Sequence, residues 1–211
     1  MRSFTYLTAW YTQLNGEYLS QAALDRAYQD ALRAVQLDPQ LPQAHAQLAL
    51  VQAYQRNHDA SVAALDRANE LNPNFVDWRF AAALAFAGEP KRAIEMGRWY
   101  LRRDPFYPAS ASAYLGFAHY MAKDYEQASL LLRESVSRSP NNRPAHGWLA
   151  ATYAQMGRLD QARIHAGEVL RIQPGWTIAG SAKHLGAFKF SKDAEHFFEG
   201  FRKAGLPEGE S

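Results

Sequence analysis

Between Asn141 and Pro174 apolar residues recur at helical spacing as Trp148, Leu149, Ala150 and Tyr153, break at Gly157, resume from Ala162 and stop at Pro174. A 3.6-residue period broken by a glycine and ended by a proline predicts two helices joined by a tight turn. Every earlier segment reads as a copy of this one. Closing prolines stand at Pro39, Pro73, Pro105, Pro140 and Pro174, with spacings of 34, 32, 35 and 34 residues. The small residue opening each second helix is Ala27, Ser61, Ala93, Ala128 and Ala162, with the same four spacings. Two position types sharing one period mark an array of repeats. Where two helices cross closely only a small side chain lets the backbones approach, while proline ends a helix because it lacks an N–H and disfavours the α region in the residue before it.

The copies fall near residues 8–39, 42–73, 74–105, 109–140 and 143–174, within an array spanning 1–174. In order and length they resemble the tetratricopeptide repeat, a helix-turn-helix unit of about 34 residues. That resemblance implies an all-α, right-handed superhelix. The first copy carries Tyr11, Leu14, Tyr18, Ala27, Ala31 and Ala34 at signature positions, and its turn lacks a glycine. In the second, Asn57 is expected to take the left-handed turn conformation that glycine usually supplies. The third copy is two residues short, and the deletion is placed in its first helix or the entry to it, with Trp78 and Phe80 refilling the gap. The extra residue of the fourth falls in the turn Pro105-Phe106-Tyr107-Pro108.

Beyond Pro174 the repeat stops, and residues 175–211 form capping helices and a short tail. Trp176 to Leu185 allows one short helix, and Ser191 is placed to cap a last one that Gly205, Leu206 and Pro207 close. In that last helix Ala194, Phe197, Phe198 and Phe201 make an apolar stripe, as expected of the atypical unit that covers the end of a stacked array.

With 211 residues, 47% hydrophobic and 21% charged, the chain has the composition of a globular protein. The longest apolar run, Phe80 to Ala87, falls short of the roughly 20 residues a membrane helix needs, so no direct membrane insertion is expected. No secretory signal is apparent at the N-terminus, which gives a cytoplasmic expectation, or a periplasmic one if the chain is cut from a membrane-anchored protein. There are no cysteines, which excludes disulfides, thiolate metal sites and cysteine nucleophiles. A formal charge of +2, from 23 Lys and Arg against 21 Asp and Glu, is too balanced for a nucleic-acid footprint.

The seven histidines lack metal-ligand spacing, and His45 and His146 share one repeat position, which marks them as structural. No phosphate-binding glycine loop, dinucleotide fingerprint or nucleophile elbow is present. Glu126 and Asp160 stand where a negative charge suits a helix N-terminus, and Arg98, Arg102 and Arg103 cluster near the end of one helix, where positive charge suits a C-terminus. No enzyme, cofactor or metal is therefore expected.

What remains is an interaction surface. In the repeat that the chain resembles, first helices line an inner groove, which here brings Leu50, Tyr54, Phe117 and Tyr120 together with the small Ala53, Ala151 and Ala154 between them. The expectation is a scaffold whose groove binds an apolar peptide or a partner helix. The competing reading buries the same residues within the molecule, with the Phe197, Phe198 and Phe201 stripe docked on the array or pairing two copies as a homodimer. The lysine and asparagine clamp of chaperone-tail adaptors is absent, Ala46, Leu50, Ala113 and Phe117 standing at its positions.

The segments DWRFAAALAFAGEPKRAIE, DPFYPASASAYLGFAHYMAKDYEQA, RPAHGWLAATYAQMGRLDQA and DAEHFFEGFRKAGLPE also resemble the C-terminal repeat region of bacterial class III adenylate and guanylate cyclases, over roughly Asn74 to Glu208. That resemblance implies a regulatory region, or part of an active cyclase whose catalytic domain lies outside this chain. No cyclase catalytic residue has a counterpart here.

Overall fold

The computed structural model describes residues 21–75, 77–185 and 188–209, with the side chains of 183–185 left out. Among them the chain is helical throughout, with eleven helices and no strand. These are α1 (Gln21–Leu37), α2 (Pro42–Tyr54), α3 (His58–Leu71), α4 (Arg79–Phe86), α5 (Pro90–Arg103), α6 (Ala109–Met121), α7 (Tyr125–Arg138), α8 (Arg143–Gln155), α9 (Leu159–Ile172), α10 (Ile178–Leu185) and α11 (Ser191–Lys203). Helices α2 to α9 are four consecutive pairs, and α1 is the second helix of the first copy. The expected first helix of that copy, with Tyr11, Leu14 and Tyr18, falls outside the described residues.

The pairs close at the small residues. Ala27, Ser61, Ala93, Ala128 and Ala162 all have 0% exposure, and the Ser61 hydroxyl donates to the Ala49 carbonyl of the facing helix at 2.7 Å. Gly116 shows how close the approach is, since a Cβ there would stand 2.8 Å from Leu132 Cγ and 3.3 Å from the Ala128 carbonyl oxygen. His45 and His146 tie the repeats along the chain, each bonding through Nε2 to the carbonyl of a closing proline, Pro39 at 2.9 Å and Pro140 at 3.0 Å. A carbonyl only accepts, so both nitrogens donate.

The turns correct one expectation. The left-handed residue of the second copy is Arg56, at φ 62°, while Asn57 has φ −91° and precedes α3. Arg56 matches Gly88, Lys123 and Gly157 in the later copies, all at positive φ. Each stands where the first helix ends and lets the next amide reach back to a carbonyl of the last turn, as Asn57 does to Gln52 and Arg158 to Tyr153, both at 2.9 Å. The shortened third copy loses its residues from the first helix, since α4 has 8 residues where α2, α6 and α8 have 13. Phe80 fills the space at 1% exposure, and Trp78 stacks on Tyr114 at 5.1 Å.

The two rows of helices differ in burial. The second helices α1, α3, α5, α7 and α9 bury one stripe each, in α9 only Ala162, Ala166 and Val169. The first helices are covered all round, with every residue from Ala44 to Tyr54, Phe80 to Phe86, Ala111 to Met121 and Ala145 to Ala154 buried. One side of this inner row faces the second helices. Its opposite side, over the later repeats, is covered by the C-terminal segment.

Candidate functional site

The inner face is where aromatic residues converge, and α11 lies across it. Phe117 of α6 stacks on Trp148 of α8 at 4.8 Å, meets Phe86 of α4 at 5.3 Å, and takes the edge of Phe197 from α11 at 5.6 Å. Tyr120 stacks on His196 at 4.9 Å, and its hydroxyl donates to the His196 carbonyl at 3.0 Å. Phe201 packs edge-on against Trp176 at 5.4 Å and over Gly147 of α8. Phe197 and Phe201 are themselves in contact, with ring centroids 4.6 Å apart.

The approach of α11 is as close as that within a repeat. A Cβ on Gly200 would stand 2.8 Å from the Ala151 Cβ and run into the Tyr120 hydroxyl. Ahead of α11 the chain continues over the earlier repeats, where the Lys189 amide donates to the Phe86 carbonyl at 2.9 Å and Phe188 packs on Phe86 at 5.2 Å. Lys189 pairs with Asp59 at 2.7 Å. The rim is polar, since Gln155 donates to Glu199 at 3.4 Å and accepts from Lys203 at 3.0 Å. Behind α11 the tail folds back, so that the Pro207 and Glu208 carbonyls accept from the Ile178 and Ala179 amides at 2.9 and 2.8 Å, at the start of α10. Gly205, at φ 83°, makes the turn that sends it there.

Titratable groups at this face follow from burial. Desolvation raises the Tyr120 phenol and lowers the His196 imidazole, while hydrogen bonds from Lys203 and Gln155 lower the Glu199 carboxyl. Among the described residues no group of histidines and acids is arranged to hold a metal ion. His119, which is buried, is satisfied by Asp124, with Nδ1 2.9 Å from the carboxylate.

Leu50, Tyr54, Phe117 and Tyr120 are all buried, at 1, 5, 0 and 0% exposure. The structure brings Phe117 and Tyr120 together beneath α11; Leu50 and Tyr54 stand on α2, with the Tyr54 ring 5.6 Å from Phe86. Open access to Phe117 and Tyr120 is therefore corrected: covering aromatic surface of that size is favourable, and the chain's own phenylalanines cover it. Ser191 is likewise the first residue of α11 and caps nothing, Phe190 standing at the N-cap position with no side-chain bond. Gly200, which lets α11 seat, was missed. A glycine inside a helical apolar stripe is the signal that would have found it.

Comparison with known families decides what the repeats are. The tetratricopeptide repeat family matches residues 42–75 and again 119–182. The chain carries tetratricopeptide repeats. No curated protein matches the sequence. Among solved structures, PilW, a type IV pilus biogenesis factor, superposes with a TM-score of 0.63 at 20% identity over 94% of this chain and 90% of that one. A thermophilic tetratricopeptide repeat protein of Thermus thermophilus gives 0.63 at 19% identity, over 88% and 98%. YrrB, described as a tetratricopeptide repeat protein with an unusual peptide-binding site, gives 0.53 at 18%, over 82% and 90%. At these identities the likeness is one of fold, the right-handed superhelix of tetratricopeptide repeats. None of the described helices is long and apolar enough to cross a membrane.

Proposed function

We propose that this tetratricopeptide protein is a non-catalytic interaction scaffold that takes a partner helix or peptide on its inner face, around Leu50, Tyr54, Phe117 and Tyr120. The observation that carries this reading is α11 itself, a helical segment seated on that face through aromatic side chains. Phenylalanine, tyrosine and tryptophan give large contact area and act as anchors in interfaces. A peptide-binding site in YrrB, which shares the fold, supports it.

The test is a photo-crosslinking pair in the full chain. With the crosslinking residue at Gln155, on the rim of the inner face, a bound partner is captured; with it at the exposed Ile164 of the outer row the same partner is not. Capture from Ile164 alone would move the site to the outer row. The resemblance of residues 74–208 to cyclase C-terminal regions favours a second reading, in which the scaffold regulates a cyclase catalytic domain. Its most specific stretch, Ala204 to Glu208, is the tail that turns back onto α10. A cyclase domain in the same reading frame supports that reading, and nucleotide turnover by these 211 residues alone would contradict both.

A further inference from the structure

We infer that α11 is a resident ligand of the inner face, exchangeable for a partner helix of the same chemistry: an amphipathic helix with aromatic residues four positions apart and a glycine immediately before the second, as in Phe197, Gly200 and Phe201. This rests on the scaffold reading above and adds what the partner looks like and what stands in its way.

Three observations lead there. First, the repeats close without α11. Each outer helix from α3 to α9 meets its inner partner at a residue with 0% exposure, and stability in such arrays comes from repeats and their nearest neighbours. Second, the seat is specific. Gly200 is held against Ala151 and Tyr120, Phe197 against Phe117, and Phe201 over Gly147, so a helix with a side chain at the glycine position is excluded. Third, apart from the bonds of the Tyr120 hydroxyl to the His196 carbonyl and of the Lys189 amide to the Phe86 carbonyl, the polar fastenings are those of a surface. The Lys189–Asp59 pair is solvent-exposed, with the Asp59 side chain 89% exposed, and such pairs hold weakly, while Gln155 bonds to Glu199 and Lys203 at the rim. Aromatic contact supplies the hold, and another helix can supply the same contact.

Being tethered gives α11 a high effective concentration, so a free helix competes only for the fraction of molecules in which α11 is away, and its apparent affinity falls by that fraction. Removing α11 from its seat therefore raises affinity for a competing helix without any change in the face that binds it.

The experiment uses the full chain and a labelled synthetic peptide of residues 188–206. Gly200→Leu obstructs the seat while favouring helix over the original glycine. The expected result is that the peptide binds Gly200→Leu at least about tenfold more tightly than the unchanged protein, and that a peptide with Phe197→Ala and Phe201→Ala binds neither. Hydrogen exchange in the unchanged protein should show α11 amides opening well before those of α6 and α8. Loss of the cooperative fold in Gly200→Leu, or α11 opening only with the whole array, would make the helix an integral cap and overturn the inference while leaving the scaffold reading to the crosslinking test. If α11 is freed in a folded Gly200→Leu and the peptide still fails to bind, the inner face is not a helix receptor and both fall.

Discussion

The outer and inner rows are built from the same repeat, yet they solve different problems. An outer helix such as α9 buries Ala162, Ala166 and Val169 and leaves Ile164 65% exposed. It needs one neighbour on one side. An inner helix such as α8 is buried from Ala145 to Ala154, around its whole circumference. A helix that is apolar all round gains stability from cover on every side. The outer row supplies half of that cover, and over α6 and α8 the C-terminal helix supplies the rest. In a repeat array the inner row thus announces whether the groove is open or filled.

The comparison is sharpened most strongly by substitution in the inner row. Leu149→Ala, at a side chain with 0% exposure, should cost about 2 to 5 kcal/mol through lost burial and a cavity. Ile164→Ala in the outer row should stay within about 0.5 kcal/mol. Urea denaturation of both variants measures the contrast, and equal losses would break it. At the seam between rows, Ala128→Leu should cost about 1 to 3 kcal/mol, since overpacking forces the crossing helices apart.

A smaller effect comes from the histidines at that seam. His146 of the inner row donates its Nε2 proton to Pro140, which leaves Nδ1 as an acceptor for the Nδ1–H of His165 in the outer row, 3.0 Å away. Burial, with His146 alongside, pushes His165 down to about 4 from an ordinary 6.5. Its folded form therefore resists protonation that the unfolded chain accepts, so stability is full above about 6.5 and falls as pH drops toward 4. His58, His119 and His196 are lowered by burial too and act in the same direction. Thermal melts across this window should show a falling midpoint, and His165→Gln should flatten part of the slope. An unchanged midpoint between those values would place these rings in water.

The smallest effect is at the turn joining the rows. Lys123 holds φ 62°, a conformation that glycine adopts without a Cβ penalty. Lys123→Gly should therefore stabilise by about 0.5 to 1 kcal/mol, read from the denaturation midpoint. The same change at Lys91, in the first turn of α5, should destabilise by a similar amount.

Repeat punctuation is legible in the sequence because it is local. Proline stops a helix by its own geometry, and an alanine at a crossing is required whatever packs elsewhere, so the five small residues and closing prolines place the pairs. The left-handed turn falls one residue earlier than its sequence suggests, because asparagine tolerates that conformation while Arg56 does not advertise it. Counting back from Gly88 by the repeat spacing reaches Arg56. The inner face is harder. Phe117 and Tyr120 do group together, but the same aromatic stripe serves an open groove and a filled one, and only long-range packing tells them apart. Two features carry a hint: Gly200 inside an otherwise regular apolar stripe, and an α6 sequence, ASASAYLGFAHYM, with no polar face to leave in water.

The central claim is that α11 fills the inner face of its own chain, and proton NMR contacts between aromatic rings of the full chain test it most directly. The account predicts cross-peaks between Phe197 and Phe117, whose rings lie 5.6 Å apart, and between His196 and Tyr120 at 4.9 Å, with Tyr120 protected from a soluble paramagnetic probe. Absence of both cross-peaks, together with probe access to Phe117 and Tyr120, would show an open groove and contradict it.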